Sequence, residues 1–188
     1  MDSTEKTVTD FAAQENHAGI HTCMSAAANA AQEAASNTLY DVLVIGGAPA
    51  GSTTATLLAQ KGFRVVLLEK ARHPRFHIGE SLLPANLPLL DELGVGEEVR
   101  AIGVPKYAAE FVSPWHEQGC QTFQFADAWD KSMPSAYQVL RSEFDEILIR
   151  NAERKGAHVV EGCKVTGVDL DSNPDQIQAT ALHENKKK

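Results

Sequence analysis

The 188-residue chain has room for one ordinary domain with appendages, because domains run to roughly 100–200 residues, and two large domains are excluded. Hydrophobic residues make up 43% and charged residues 22%, near globular averages, and no apolar run approaches the ~20 residues that cross a bilayer. A formal charge of -8, from 17 basic against 25 acidic side chains, argues against a nucleic-acid or anionic-membrane partner, since both require a positive footprint; only Lys186, Lys187 and Lys188 form a basic run.

From Met1 to about Thr38 the chain is rich in Ala, Ser, Thr, Asn and Gln and poor in large apolar side chains. Residues 1–38 are therefore expected to be a disordered low-complexity head, and residues 39–188 the patterned body. Met24 to Ser36 has the alanine content of a helix, but alanine buries too little surface to hold one alone. Asp2 and Glu5 stand where a secretory signal carries basic charge, and the head has none of the arginines of a transit peptide. His17, His21 and Cys23 are close in sequence, but a metal site needs an ordered scaffold and usually a fourth ligand, so no metal is expected.

Patterning begins at Tyr40. Tyr40 to Ile45 is a short β-branched apolar run, expected as a parallel strand buried on both faces. Gly46 to Gly51 (GGAPAG) reads as a turn, Ser52 to Lys61 as a helix stopped by Gly62, and Arg64 to Glu69 as a second buried strand. The whole is a βαβ unit of about thirty residues, the length such a crossover needs. Pro84 to Leu93 reads as a helix ended by Gly94, with another helical turn at Glu97 to Ala101. Lys106 to Val112 and Gln121 to Phe125 read as antiparallel strands. Ser142 is expected to cap a helix over Glu143 to Lys155, with Asp145 as its capping-box partner and Phe144, Ile147, Leu148 and Asn151 along one side. His158 to Glu161, Lys164 to Leu170 and Gln176 to Leu182 complete the strands. Cys23, Cys120 and Cys163 are odd in number and lack CxxC spacing, so neither a disulfide framework nor a zinc site is indicated, and a reducing cytoplasm is the expected compartment.

A strand followed at once by glycines and a helix gathers backbone N–H groups and the positive helix end around an anion, which suits a pyrophosphate. The GxGxxG pattern falls on Gly46, Ala48 and Gly51, with alanine in the middle position; its methyl crowds the pyrophosphate unless φ stays negative. Gly47, Pro49 and Ala50 complete the turn. Glu69, 23 residues after Gly46 at the end of the second strand, stands where a carboxylate accepts hydrogen bonds from an adenosine ribose and disfavours a 2′-phosphate. Read alone, Glu69 is equally a solvated strand end. Order and spacing together indicate dinucleotide binding.

VLVIGGAPAGSTTATLLAQKGFRVVLLEK, Val42 to Lys70, resembles the amino-terminal FAD-binding unit of flavin-dependent monooxygenases. Pro74 to Pro84 (PRFHIGESLLP) resembles the segment after the second strand in flavin-dependent halogenases. The implied fold is α/β, a Rossmann-like FAD-binding βαβ with an additional antiparallel β element, in an oxidoreductase. The resemblance implies FAD as cofactor and places Lys70 beside Glu69 at it. It also lays Gly79, Glu80 and Ser81 against the flavin, the alternative for Glu80 and Ser81 being to cap the following helix. Pro105 to Phe111 (PKYAAEF) resembles the halogenase segment carrying a lysine at the far end of a tunnel from the flavin. That implies reduced flavin, oxygen and halide giving hypohalous acid, which Lys106 binds or converts to a haloamine near an electron-rich small-molecule substrate. A separate flavin reductase is an implied partner. The plain alternative is a surface lysine at a strand start.

Tyr137 to Asp145 (YQVLRSEFD) resembles the arginine-containing segment leading into the next helix of these flavoproteins, so Arg141 is implied at the flavin or its pyrophosphate, where forked donors suit phosphate oxygens. Pairing with Glu143 or Asp145 is its alternative. The halogenase Trp-x-Trp motif is absent, since Trp115 and Trp129 are not so spaced. The resemblance stops near Asp171, and the chain is expected to be a truncated amino-terminal portion. A flavin hydroxylase or polyprenyl reductase on the same scaffold, and a noncatalytic fragment, are the alternatives.

Overall fold

The computed structural model describes residues 4–7, 39–115, 117, 119–172 and 177–184. They fall into two units, 1–72 with 152–188 and 73–151. Of the head expected to be disordered, only Thr4–Thr7 belong to the described residues, and they form a strand, β1, which that expectation did not include; His17, His21 and Cys23 lie outside them.

In the first unit β2 (Val42–Ile45) leads through α1 (Pro49–Gln60) to β3 (Val65–Glu69), and β8 (His158–Glu161) joins β3 on its other side. All three strands are parallel, in the order β2-β3-β8, with Val42 opposite Val65 and Val66 opposite His158. β3 is the central strand and α1 and β9 pack on it, so all five of its residues are buried. Each of its four aliphatic side chains contributes on the order of 1.5–3 kcal/mol of burial.

β2 departs from the expectation of two buried faces. It ends the sheet order, and only Val44 of its four residues is buried, with Ile45 55% exposed. Its register is set by an ion pair at the strand starts: Arg64 donates to the Asp41 carboxylate from its backbone N–H at 2.8 Å and from its guanidinium at 2.7 and 3.1 Å. β9 (Cys163–Asp169) and β10 (Gln178–His183) form an antiparallel sheet with β1 in the order β1-β10-β9. Val66, Leu68, Cys163 and Ala181 join in one buried cluster, where burial pushes the Cys163 thiol up to about 11.

The second unit holds α2 (Asn86–Leu93), α3 (Gly96–Ile102), and the strands β4 (Val104–Lys106), β5 (Ala108–Val112), β6 (Cys120–Gln124) and β7 (Ala136–Gln138). Gly94 ends α2 in the left-handed conformation, φ 79°, as its position in the sequence predicts. The single strand expected over Lys106 to Val112 is two: β4 pairs with β7, whereas β5 pairs with β6, and Tyr107 stands between them. The following helix, α4 (Arg141–Arg154), starts earlier than expected. The N–H groups of Glu143 and Phe144 both donate to the Leu140 carbonyl, so Ser142 lies inside the helix rather than capping it, and Asp145 pairs with Arg141 instead of closing a capping box. Phe144, Leu148 and Asn151 are buried as the periodicity predicts, whereas Ile147 is only half-buried and Ile149 is buried in addition.

Candidate functional site

The glycine turn and the start of α1 are one construction. Gly46 is held at φ 99° and donates its N–H to the Leu68 carbonyl at 2.8 Å, tying the end of β2 to β3. Ala48 has φ -71° and ψ 177°, the negative φ that an alanine at this place requires. The helix begins at Pro49, inside the stretch read as a turn, because a proline with its preset φ suits the first helical position. No side chain caps the helix; Ser52, already inside it, donates its hydroxyl to the Gly47 carbonyl at 2.8 Å. The first-turn N–H groups of Ala50 and Gly51 are those that an α-helix leaves without partners in the helix. A Cβ on Gly51 would lie 1.8 Å from the Gly46 carbonyl oxygen and 3.3 Å from the Val44 side chain, so the turn closes on the helix only with glycine there.

Glu69 is 4% exposed, which sets aside its reading as a solvated strand end. One carboxylate oxygen accepts from the Gly47 N–H at 2.6 Å and the other from the Ala71 N–H at 2.8 Å. The carboxylate thus fixes both the turn after β2 and its own loop, and each oxygen keeps a further lone pair. Lys70 is exposed. The loop is braced from behind by Gly162, which donates its N–H to the Ala71 carbonyl at 3.2 Å.

In the second unit Lys106 is half-buried, and its ammonium donates to Ser81 Oγ at 2.5 Å and to the Leu82 carbonyl at 2.8 Å, with the Phe125 ring centroid 5.2 Å away. It is a partnered lysine rather than a loose surface one. Glu80 and Ser81 do not cap α2, whose N-cap is Ala85 with no side-chain bond. Their backbone instead pairs with the end of β7: Ser81 bridges Gln138, and the Glu80 carbonyl accepts from Val139 at 2.9 Å. Gly79, at φ 95°, lies so close to Arg141 that a Cβ would come within 3.2 Å of a guanidinium nitrogen. Arg141 forks onto Asp145 at 2.7 and 2.9 Å and donates to the Ile78 carbonyl at 2.9 Å. Asp145 is fully buried and also faces Arg75 at 3.5 Å.

A family model described as "FAD binding domain" matches residues 39–188. The chain belongs to the FAD-binding domain family. A tryptophan 2-halogenase of Chondromyces crocatus is 46% identical over 131 residues, 69% of this chain and 24% of that protein. The myxobacterial chondrochloren halogenase CndH, a solved structure described as a variant of FAD-dependent halogenases, is 43% identical with a TM-score of 0.64 over 71% of this chain and 31% of its own. A flavoprotein/dehydrogenase from Cytophaga hutchinsonii is 39% identical with a TM-score of 0.62, over 69% and 32%. The chain spans about a quarter of the length of that tryptophan 2-halogenase.

FAD is the cofactor of this family, and the first unit fits its adenosine and pyrophosphate end. The α1 N-terminus is left open by its proline start and lack of a side-chain cap, the Ala48 methyl sits at a tolerated φ, and the buried Glu69 carboxylate has lone pairs to accept from a ribose. One support escaped the sequence reading. Phe125 beside Lys106 gave no signal, since a ring 19 positions away meets the lysine only through the pairing of β5 with β6. Asp145, expected as a capping-box partner, instead forms the ion pair given as the alternative for Arg141, as their i,i+4 spacing allows. Among the described residues no group of three metal-ligating side chains converges, and no helix is long and apolar enough to cross a membrane.

Proposed function

We propose that this chain provides the FAD-binding part of a flavin-dependent halogenase that acts on an electron-rich small molecule with halide as co-substrate. The observation that carries this reading is the half-buried Lys106 ammonium, held on the Ser81 hydroxyl and the Leu82 carbonyl at the place where the resemblance expects a lysine. FAD, reduced by a separate flavin reductase, supplies the oxygen activation that oxidises halide. In this assignment the Gly46 to Gly51 turn, through Gly47, Ala48, Pro49 and Ala50, holds the pyrophosphate with backbone N–H groups, and Glu69 takes the ribose beside Lys70. Gly79, Glu80 and Ser81 lie at the flavin. Arg141 contributes to phosphate or flavin binding through the guanidinium hydrogens that Asp145 and Ile78 do not use. Lys106 donates a hydrogen bond to hypohalous acid, or as the free amine takes its halogen, forming an N–halogen bond and releasing water. A cytoplasmic setting goes with this reading.

The decisive experiment supplies FAD, a flavin reductase, oxygen and an electron-rich aromatic, with chloride, bromide or no halide. Halogenated product that depends on halide supports the proposal, and Lys106→Ala is expected to abolish it while FAD stays bound; loss of FAD by that variant would make Lys106 structural. Oxygenated or reduced product regardless of halide would establish the second reading, a hydroxylase or reductase on this scaffold. That reading is favoured by the likeness to a flavoprotein/dehydrogenase. Absence of FAD absorbance after reconstitution would leave a noncatalytic chain.

A further inference from the structure

We propose that Ser81 is a positioning residue for Lys106, setting where its ammonium stands. The inference rests on the assignment of Lys106 as the halogen-transfer group.

Both residues are built onto β7. On one side of that strand, β4 pairs Lys106 with Ala136, which is fully buried and has only a methyl to obstruct a side chain crossing the strand. At the other, Ser81 bridges Gln138 between two backbone hydrogen bonds, Leu82 N–H to the Tyr137 carbonyl and Val139 N–H to the Glu80 carbonyl, each at 2.9 Å. Those bonds fix the Ser81 backbone and with it the reach of Oγ. Lys106 reaches this segment and donates to Ser81 Oγ and the Leu82 carbonyl. A flexible four-carbon stem needs such anchors to keep its charge in one place. The Leu82 carbonyl and the Phe125 ring alone would leave the ammonium free to turn about them, and the hydroxyl supplies a third direction. Since Ser81 Oγ accepts from Lys106, its own hydrogen stays available to donate elsewhere. Ser81 is exposed, so its loss leaves the unit's packing intact.

The test is competitive acetylation of the full chain with acetic anhydride at neutral pH, read lysine by lysine by mass spectrometry. Exposed Lys61, Lys70 and Lys155 serve as internal standards. In Ser81→Ala, Lys106 should label about threefold faster, as expected for loss of one charge-assisted hydrogen bond that water partly replaces. The three standards should not change, and Ser81→Thr, which keeps the hydroxyl, should restore the original rate. An unchanged Lys106 rate in Ser81→Ala, or an equal rise in Ser81→Thr, would overturn the inference. Failure of the halogenase reading is separate: it shows as product formation indifferent to halide or to Lys106→Ala, whatever the labelling pattern.

Discussion

The two units specify their site residues in different ways. In the first, the groups assigned to the cofactor are backbone N–H donors and one carboxylate, drawn from a single βαβ crossover and tied together by ladder and turn hydrogen bonds. In the second, the groups are long side chains that meet partners 24, 25 and 63 positions away. A phosphate cradle made of backbone needs only the correct turn, whereas a fixed lysine or arginine needs a tertiary arrangement to bring its acceptors into place. The first unit should therefore fail when its backbone is obstructed, and the second when a buried charge loses its counterpart.

The largest effect should come from Asp145→Ala. It leaves Arg141, whose side chain is 11% exposed, and Arg75 without the carboxylate that both face, and breaking a buried pair in this way costs about 3–5 kcal/mol. Hydrogen exchange should rise over residues 75–82 and 141–151 while residues 42–69 keep their protection. A cost below about 1 kcal/mol, the value of an exposed pair, would show that the second unit does not depend on this charge and would break the comparison.

Gly51→Val should follow, at about 3 kcal/mol, because even the first carbon of the side chain collides with the Gly46 carbonyl. Here the exchange pattern should reverse, with residues 42–69 losing protection, and FAD retention in a fluorescence titration should fall. Undiminished retention would contradict the assignment of this turn to the pyrophosphate. Glu69→Gln is a milder test of the same construction. The amide offers one acceptor oxygen where the Gly47 and Ala71 N–H groups need two, so about 2 kcal/mol of stability should be lost, with weaker FAD binding.

Much of the first unit was legible because its signals are local. The glycine stops, the apolar runs of β2 and β3, the spacing to Glu69 and the need for negative φ at Ala48 follow from chain geometry over a few residues. The exposure of Ile45 was not legible, since it depends on which strand ends the sheet, and the β2-β3-β8 order is a tertiary fact. The second unit was harder for the same reason. KYAAEFV has the alternation of one strand, and only the separate partners of β4 and β5 divide it at Tyr107. Ser142 offers a good capping hydroxyl, yet the helix starts one residue before it, where Arg141 can reach Asp145 within one turn. Lys106 could be singled out by resemblance, but its anchorage on Ser81 could not, because nothing in the spacing of 25 residues brings the two together.

The smallest effect sharpens the comparison from the other side, by testing a charge pair at the surface of the backbone-built unit. The hydrogen bonds from the Arg64 side chain and backbone hold the Asp41 carboxyl at about 2, below its ordinary 3.8. A group whose folded value is depressed adds stability that is complete above its unfolded value and is lost as pH falls toward the folded value. Asp41→Asn should therefore remove a part of the acid sensitivity between about pH 4 and pH 2, seen as a shallower change of the urea midpoint across that window than in the parent chain. The parent's other carboxylates cancel in the difference, including Asp130 and Asp169, which their own hydrogen bonds also hold low. Because the Arg64 and Asp41 side chains are 61% and 36% exposed, added salt should shrink the difference. The Asp145 pair, enclosed in the second unit, should keep its effect at the same ionic strength. Equal salt dependence of the two would mean that burial does not separate them, and the contrast between a backbone-built and a side-chain-built unit would then rest on the opposite exchange patterns of Asp145→Ala and Gly51→Val.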